Sequence, residues 1–170
     1  MEEYLIKLQK KINVKFKKID YLKKAITHKS FDPINNYEKL EFLGDRILGF
    51  VISKKLIELY DKEKEGVLDK RLASLVNKDK CIEVAKQIGL DKFILVGNKK
   101  NKKFKVENKI ISDSVEALIG AIYYDKGFDF TEKYILNTWK NFIKIKMIEF
   151  ICQQYFRKRK LKNNNFSIGF

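Results

Sequence analysis

Three carboxylates at helical spacing stand in one apolar stretch of the sequence. Glu38, Glu41 and Asp45 occupy positions i, i+3 and i+7 of a predicted helix, so their side chains share one face. Like charges on adjacent turns repel one another by about 0.2–0.5 kcal/mol per pair. Lys39 and Arg46 are expected to point to other sides of the helix, which favours a cation bound from solution. Carboxylate oxygens favour a hard cation such as Mg2+ or Mn2+.

A second predicted helix carries another pair of acids. Asp113 and Glu116 stand three residues apart among apolar neighbours. Carboxylates in apolar helices are rare unless they are paired or bound to a metal. If the two helices pack face to face, their carboxylates form a metal cage. The simpler alternative for each acid is a surface ion pair with one of the many lysines.

The elements that must position these acids are nearly all helical. Apolar residues recur at helical spacing along most of the chain, and the stretch 93–97 alternates too poorly to predict a strand. Predicted helices cover about residues 3–11, 20–26, 37–60, 67–89, 108–127 and 130–150. The helix over 37–60 is apolar on most sides, which is typical of a helix buried at the centre of a fold. We therefore predict an all-α fold, with a basic, polar loop over 99–105.

The composition narrows the function classes. A formal net charge of +15 favours a polyanionic partner, meaning nucleic acid or an anionic membrane surface. Only four of the 37 basic residues are arginine, and such lysine-rich usage also arises from an AT-rich genome. No apolar run reaches the roughly 18 residues that span a bilayer, and the N-terminus resembles no signal peptide. The two cysteines lie in no metal-finger spacing, which favours a reducing compartment. The missing apolar span and signal peptide predict a cytoplasmic location and no membrane partner.

Four stretches of the sequence, in the right order, resemble the ribonuclease III family. Residues 38–49 resemble the family signature, and residues 112–127 resemble its second conserved block. Residues 65–76 and 25–30 resemble two further landmarks. The resemblance runs from about residue 5 to about residue 142. The signature is centred on Glu41-Phe42-Leu43-Gly44-Asp45.

The resemblance implies a fold, a reaction and partners. The fold is the ribonuclease III endonuclease domain, an all-α helical bundle around a central buried helix that forms a symmetric homodimer. The reaction is metal-dependent hydrolysis of double-stranded RNA to 5′-phosphate and 3′-hydroxyl ends, in the processing of ribosomal RNA, messenger RNA and other structured transcripts. The implied cofactor is Mg2+, for which Mn2+ can substitute, and no small-molecule cofactor is expected.

The resemblance also assigns roles to single residues. Four acids are implied to bind the metal: Glu41, Asp45, Asp113 and Glu116. Asp45 and Glu116 are further assigned to catalysis, and the loss of Glu116 should damage it most. Glu38 and Glu65 match acidic positions with a supporting role in the cleft or at the subunit junction. Phe42 matches an aromatic residue of the dimer joint, and ordinary core packing is the alternative for it.

The end of the sequence departs from the family pattern. We expect a nuclease domain over residues 1–148 and a basic, disordered tail over 149–170. In many family members a double-stranded-RNA-binding domain follows the nuclease domain, and the eight residues after Lys162 are too few to form one. The tail either neutralises phosphates or is simply a solvated end.

Two alternatives to a working nuclease remain at the level of sequence. One is a non-catalytic RNA-binding or ribosome-associated protein that keeps the fold but would be expected to lose ligand acids. The other is a truncated product that folds and binds RNA poorly. The lone histidine, His28, is expected to be structural, and Cys81 is expected to be a core residue.

Overall fold

Seven α-helices account for most of the described chain. The computed structural model describes residues 1–97 and 106–148. The helices are α1 (Glu2–Ile12), α2 (Ile19–Ala25), α3 (Glu38–Leu59), α4 (Glu65–Val76), α5 (Lys78–Ile88), α6 (Asn108–Lys126) and α7 (Phe128–Thr138). These ranges contain no strand, only an isolated bridge between Thr27 and Leu95. The predicted all-α fold is confirmed, whereas the basic loop over 99–105 and the tail over 149–170 lie outside the described residues.

The chain divides into two compact units. The first, Met1–Thr138, contains all seven helices and every residue of the predicted acidic site. The second, Trp139–Phe170, is described only to residue 148 and is helical over 140–148. The helix predicted over 130–150 therefore starts two residues earlier, at Phe128, and is interrupted after Thr138.

The central helix is α6, and not α3 as the sequence indicated. Twelve of the 19 residues of α6 are buried, and α6 packs against α2, α3, α5 and α7. The apolar residues of α3 are shared between the core and solvent, because Phe42, Phe50 and Ile57 are exposed. A helix that is apolar on most sides is therefore not always the central helix of a fold. Its exposed apolar side chains can instead mark a surface that another molecule covers.

Two glycines allow α3 and α6 to cross at backbone contact. A Cβ atom added at Gly44 of α3 would overlap the carbonyl oxygen of Glu116 on α6. A Cβ atom added at Gly120 would likewise overlap the carbonyl oxygen of Leu40. No other residue type fits these positions without separating the helices, so the glycines determine how closely the acids of the two helices approach each other.

The segment predicted as one helical stretch over 67–89 is two helices. Asn77 adopts an extended conformation, with ψ of 166°, between α4 and α5. Its side-chain oxygen accepts a hydrogen bond from the backbone N–H of Lys80, at 3.0 Å, and so caps α5. Gly89 ends α5, as predicted, and adopts a left-handed conformation with φ of 71°.

A buried aspartate ties the start of the chain to the end of α6. The Asp125 carboxylate, only 1% exposed, accepts backbone N–H bonds from Lys17 and Lys18 at 2.8–3.1 Å. Burial acts to raise its pKa, but these bonds and the ammonium of Lys126 outweigh burial, so the pKa lies below its usual 3.8. The tie therefore stabilises the fold above about pH 4 and is lost as the pH falls through the lowered pKa.

We expect Asp125→Ala to lower the free energy of unfolding by about 2 kcal/mol at pH 7, because the backbone N–H groups of Lys17 and Lys18 lose their charged acceptor. Urea unfolding monitored by circular dichroism measures this difference. The exposed Asp61→Ala is the control and should change it by less than about 0.5 kcal/mol. The gap between Asp125→Ala and wild type should shrink near pH 3; a gap independent of pH would contradict this account.

Candidate metal centre

Three carboxylates from α3 and α6 converge on one point. Glu41, Asp113 and Glu116 each offer an oxygen that lies within 4.8 Å of the oxygens of the other two. Oxygens that share an octahedral ion with bonds of about 2.1 Å lie roughly 3–4 Å apart, so small rotations would suffice for all three to bind one ion. The donor set consists only of oxygens and suits Mg2+ or Mn2+.

The charges of these acids are costly without a cation. Burial first, and then the nearby charges of Asp45, Asp113 and Glu41, together raise the pKa of Glu116 to about 7. Burial, followed by the charge of Asp113, also raises the pKa of Glu41. A divalent cation would relieve both the repulsion and the desolvation.

Two neighbouring side chains already compensate Asp113. The ammonium of Lys109, one turn earlier on α6, lies 2.7 Å from Asp113 Oδ2. The hydroxyl of Tyr37 donates to the same oxygen at 3.4 Å. Because the Lys109 side chain is 69% exposed, it can move away when a stronger cation arrives.

Asp45, the fourth predicted ligand, is not part of the three-residue group. Its Oδ2 lies 2.9 Å from Arg46 Nη1. Both side chains line the same cleft of about 330 Å³ as Glu41 and Glu116. The expectation that Arg46 points away from the acids is wrong, because its long side chain bends back to Asp45. Asp45 thus lies in the cleft outside the group of three, although its charge still acts on Glu116.

The supporting acids separate in the same way. Glu38 lines the acidic cleft, and its carboxylate lies 3.0 Å from the ammonium of Lys29. Glu65 is not brought to this cleft, because it begins α4 and lines a different groove, beside Leu56 and Ile57 of α3. Within one chain, Glu65 therefore lies apart from the acidic cleft.

Cys81 is a neighbour of the site that sequence reasoning missed. Its thiol is fully buried and lies 3.9 Å from Glu116 Oε1. Burial raises the pKa of this thiol to about 12, so the group stays protonated and can donate weakly to the carboxylate. Cys81 lies on α5, and no spacing rule connects it with α6; only the packing of these two helices does.

His28 lies at the margin of the cleft and makes local contacts. Its Nδ1 lies 2.7 Å from Ser30 Oγ, which also accepts the backbone N–H of Gly97 at 3.0 Å. The backbone N–H of His28 donates to the carbonyl of Leu95 at 2.9 Å. These bonds hold the loop before α3 against the segment after α5, a positional role that agrees with the structural reading of this histidine.

The raised pKa of Glu116 predicts how the stability of the metal-free protein depends on pH. A carboxyl group whose folded pKa is about 7, against an ordinary 4.5, favours folding below pH 4.5, and this advantage is lost as the pH rises through 7. We therefore expect Glu116→Gln to raise the melting temperature of the metal-free protein at pH 8 and to leave it nearly unchanged at pH 5. Differential scanning calorimetry in EDTA measures both values. The exposed Glu83→Gln should show no such difference, and equal effects of Glu116→Gln at both pH values would refute the assignment.

No helix in the described part of the chain is both long and apolar enough to cross a membrane.

Comparison with known proteins adds sequence and structural relatives. A family model described as Ribonuclease-III-like matches residues 18–142. The chain is 62% identical over 143 residues to Ribonuclease 3 of Pelagibacter ubique and 47% identical over 127 residues to Ribonuclease 3 of Histophilus somni. These matches cover 84% and 74% of the chain but only 64% and 56% of the two relatives, so the chain spans less than two thirds of their length.

A solved structure matches the fold. It is described as showing structural flexibility in the region involved in dimer formation of the nuclease domain of ribonuclease III from Campylobacter jejuni. The TM-score is 0.75 at 38% sequence identity, and the match covers 79% of this chain and 95% of that chain. The part of the chain that is matched therefore corresponds to almost the whole of that nuclease domain.

Proposed function

Since this chain belongs to the ribonuclease III family, we propose that it is an endoribonuclease that hydrolyses double-stranded RNA to 5′-phosphate and 3′-hydroxyl ends. The observation that carries the proposal is the convergence of Glu41, Asp113 and Glu116 from two apolar helices. We place the activity in the cytoplasm, in the processing of ribosomal, messenger and other structured RNA.

The proposed metal ligands are the three converging acids, with Asp45 joining them from the rim of the cleft. Mg2+, or Mn2+ in its place, would activate water and stabilise the charge that develops on the phosphate oxygens. The protein holds the ligands in place: the crossing of α3 and α6 sets their separation, and Cys81 and Lys109 orient Glu116 and Asp113.

The proposed substrate suits the surface around the cleft. Lys29 and Lys109 lie beside the acids and can approach the phosphates on either side of the scissile bond. The net charge of +15 supplies attraction to the RNA backbone that does not depend on sequence. Duplex RNA is recognised mostly through shape, phosphates and 2′-hydroxyls, and exposed lysines fit that mode better than a base-reading pocket would.

The proposed assembly is a symmetric homodimer joined through α3. Phe42 is 63% exposed beside the acidic cleft, and Phe50 and Ile57 extend the apolar surface along the same helix. A groove of about 290 Å³ between α3 and α4, lined largely by apolar side chains, lies on the same molecule. A two-fold interface places the same patch of both subunits in contact, so Phe42 of each subunit can enter the groove of the other. In such a dimer Glu65, which lines the groove, would come close to the partner's Phe42, which suits its proposed supporting role at the subunit junction.

A cleavage assay on a long RNA duplex tests the activity. With Mg2+ we expect cuts in both strands and products with 5′-phosphate and 3′-hydroxyl ends, whereas Ca2+ should support binding without cleavage. Single-stranded RNA of the same sequence is the control and should remain intact. Binding of the duplex without cleavage, under any Mg2+ or Mn2+ concentration, would instead favour the non-catalytic RNA-binding or ribosome-associated protein. Activity at low salt alone would indicate a working site with too little binding surface.

Sedimentation velocity tests the dimer. We expect Phe42→Ala to shift the chain towards monomer, while Phe31→Ala, which removes another half-exposed phenylalanine away from the groove, should leave the dimer intact. A dimer unaffected by Phe42→Ala would place the subunit joint elsewhere.

A further inference from the structure

One arginine touches both the metal site and the subunit joint. Arg46 Nη1 lies 2.9 Å from Asp45 Oδ2 and donates to the carbonyl oxygen of Phe42 at 3.1 Å. The guanidinium carbon stands 3.9 Å above the centre of the Phe42 ring. Arg46 therefore binds the one proposed ligand that is missing from the converging group and covers one face of the aromatic side chain proposed to enter the partner's groove.

We propose that Arg46 couples dimer formation to assembly of the metal site. In the separate chain, Arg46 holds Asp45 at the rim of the cleft. When a second copy of the chain takes up the Phe42 ring, Arg46 is displaced and Asp45 is free to turn towards Glu116. Arg46 acts here as a positioning residue, and the inference rests on the proposed metal site and dimer.

The contacts of Arg46 are weak enough to be exchanged. The side chains of Arg46 and Asp45 are 58% and 52% exposed, so water screens their ion pair. The contact with the Phe42 ring is an exposed cation–π contact, which is also weak. A divalent cation in the cleft competes with a single guanidinium for the same carboxylate and carries twice its charge.

Dimer formation would disturb the same contacts of Arg46, because it would take up the Phe42 ring. With the guanidinium on its face, the Phe42 ring cannot enter the groove unless Arg46 enters with it, beside the carboxylates of Glu65 and Asp69 that line the groove, or moves away. A guanidinium that enters must exchange Asp45 for these carboxylates, and one that stays outside loses its contact with the ring, so both courses disturb the present position of Arg46. Both the metal and the partner subunit are therefore opposed by the same side chain, and each should ease the binding of the other.

Coupling of this kind is reciprocal, which separates it from a simple charge effect. If dimer formation strengthens Mg2+ binding by some factor, Mg2+ must tighten the dimer by the same factor. Removal of any cation near the acids would raise Mg2+ affinity, but only removal of the shared contact would abolish the coupling. Lys39 provides the control, because it is an exposed cation on the same helix that lines neither the acidic cleft nor the groove.

The test measures the dimer dissociation constant by analytical ultracentrifugation, with and without Mg2+ and in the absence of RNA. For wild type and Lys39→Ala we expect Mg2+ to tighten the dimer by about 5- to 10-fold. For Arg46→Ala the dissociation constant should change less than about twofold with Mg2+ and should already be low without it. Thermal unfolding confirms that each variant is folded.

A second readout uses the separated chain. In a Phe42→Ala background, adding Arg46→Ala should tighten Mg2+ binding about fivefold by calorimetric titration, and adding Lys39→Ala should tighten it clearly less. A dimer that responds to Mg2+ equally in wild type and Arg46→Ala overturns the coupling and leaves the proposed function intact. A chain that stays monomeric at every concentration removes the proposed subunit joint, and this inference with it.

Discussion

Replacement of Glu116 by glutamine is expected to reduce duplex-RNA cleavage at saturating Mg2+ by about a thousandfold or more, which corresponds to about 4 kcal/mol of transition-state stabilisation. Glutamine keeps the shape of the side chain but removes the negative charge. The group of three converging acids would then offer two carboxylates, and the remaining ligands would hold a divalent ion less firmly and in a different position.

Loss of activity in this variant can be separated from loss of folding. Burial of a charged carboxylate among other acids destabilises the metal-free protein near pH 8, so the neutral glutamine should increase stability there. A variant that is inactive and yet at least as stable as wild type would show that the defect lies in the site. Glu83→Gln, an exposed acid on α5, should retain full activity. If Glu116→Gln cleaves within a few-fold of wild type, Glu116 is not a metal ligand.

Much of the candidate site could be predicted because it depends on the spacing of residues that are close together in the sequence. Two acids three residues apart on a helix lie on the same face of that helix in any fold. Asp113 and Glu116 were therefore expected to point in similar directions. That Glu41 meets them follows from the packing of two apolar helices, which the acids on both helices already suggested before the family resemblance assigned them as ligands. The structure brings one oxygen of each of these three acids within 4.8 Å of the others.

The parts that could not be predicted depend on reach and on tertiary neighbours. Arg46 bends back onto Asp45, and its position on the helix does not reveal this because a long side chain can reach several turns of surface. Cys81 reaches Glu116 only because α5 packs on α6. The central position of α6 could not be predicted for the same reason. Both long helices, α3 and α6, are apolar, and only their packing determines which one is covered on all sides.

The boundaries of the helices show the same division. The ends at Gly89 and Gly127 follow from a residue that tolerates positive φ, which is a local property. The break at Asn77 was missed because the apolar spacing continues across it, although an asparagine is a possible N-cap for a helix that begins at the next residue. The hydrophobic pattern reports which faces are buried, and it is insensitive to a single extended residue between two helices.

Replacement of Gly44 by alanine is expected to have the largest effect on the fold of any single methyl group added to α3. The new Cβ atom would overlap the carbonyl oxygen of Glu116, which is part of the backbone of α6 and cannot rotate away. The helices must therefore separate, and overpacking of this kind costs about 3 kcal/mol or more. A loss of this size lowers the melting temperature by roughly 6–12 °C in a chain of this length.

Gly49→Ala is the matched control, because a Cβ atom at Gly49, five residues further along the same helix, meets nothing within 4 Å. That variant should be neutral or up to about 1 kcal/mol more stable, since alanine has a higher helix propensity than glycine.

The two variants should also differ in catalytic activity. Because Gly44 lies between Glu41 and Asp45, separation of the helices moves the acids of α3 away from those of α6, and a misplacement of about 1 Å can cost a hundredfold in rate. Folded Gly44→Ala protein, assayed well below its melting temperature, should therefore cleave duplex RNA far more slowly than Gly49→Ala and require more Mg2+. Equal stability and equal Mg2+ dependence of the two variants would mean that the crossing of α3 and α6 does not set the spacing of the metal ligands.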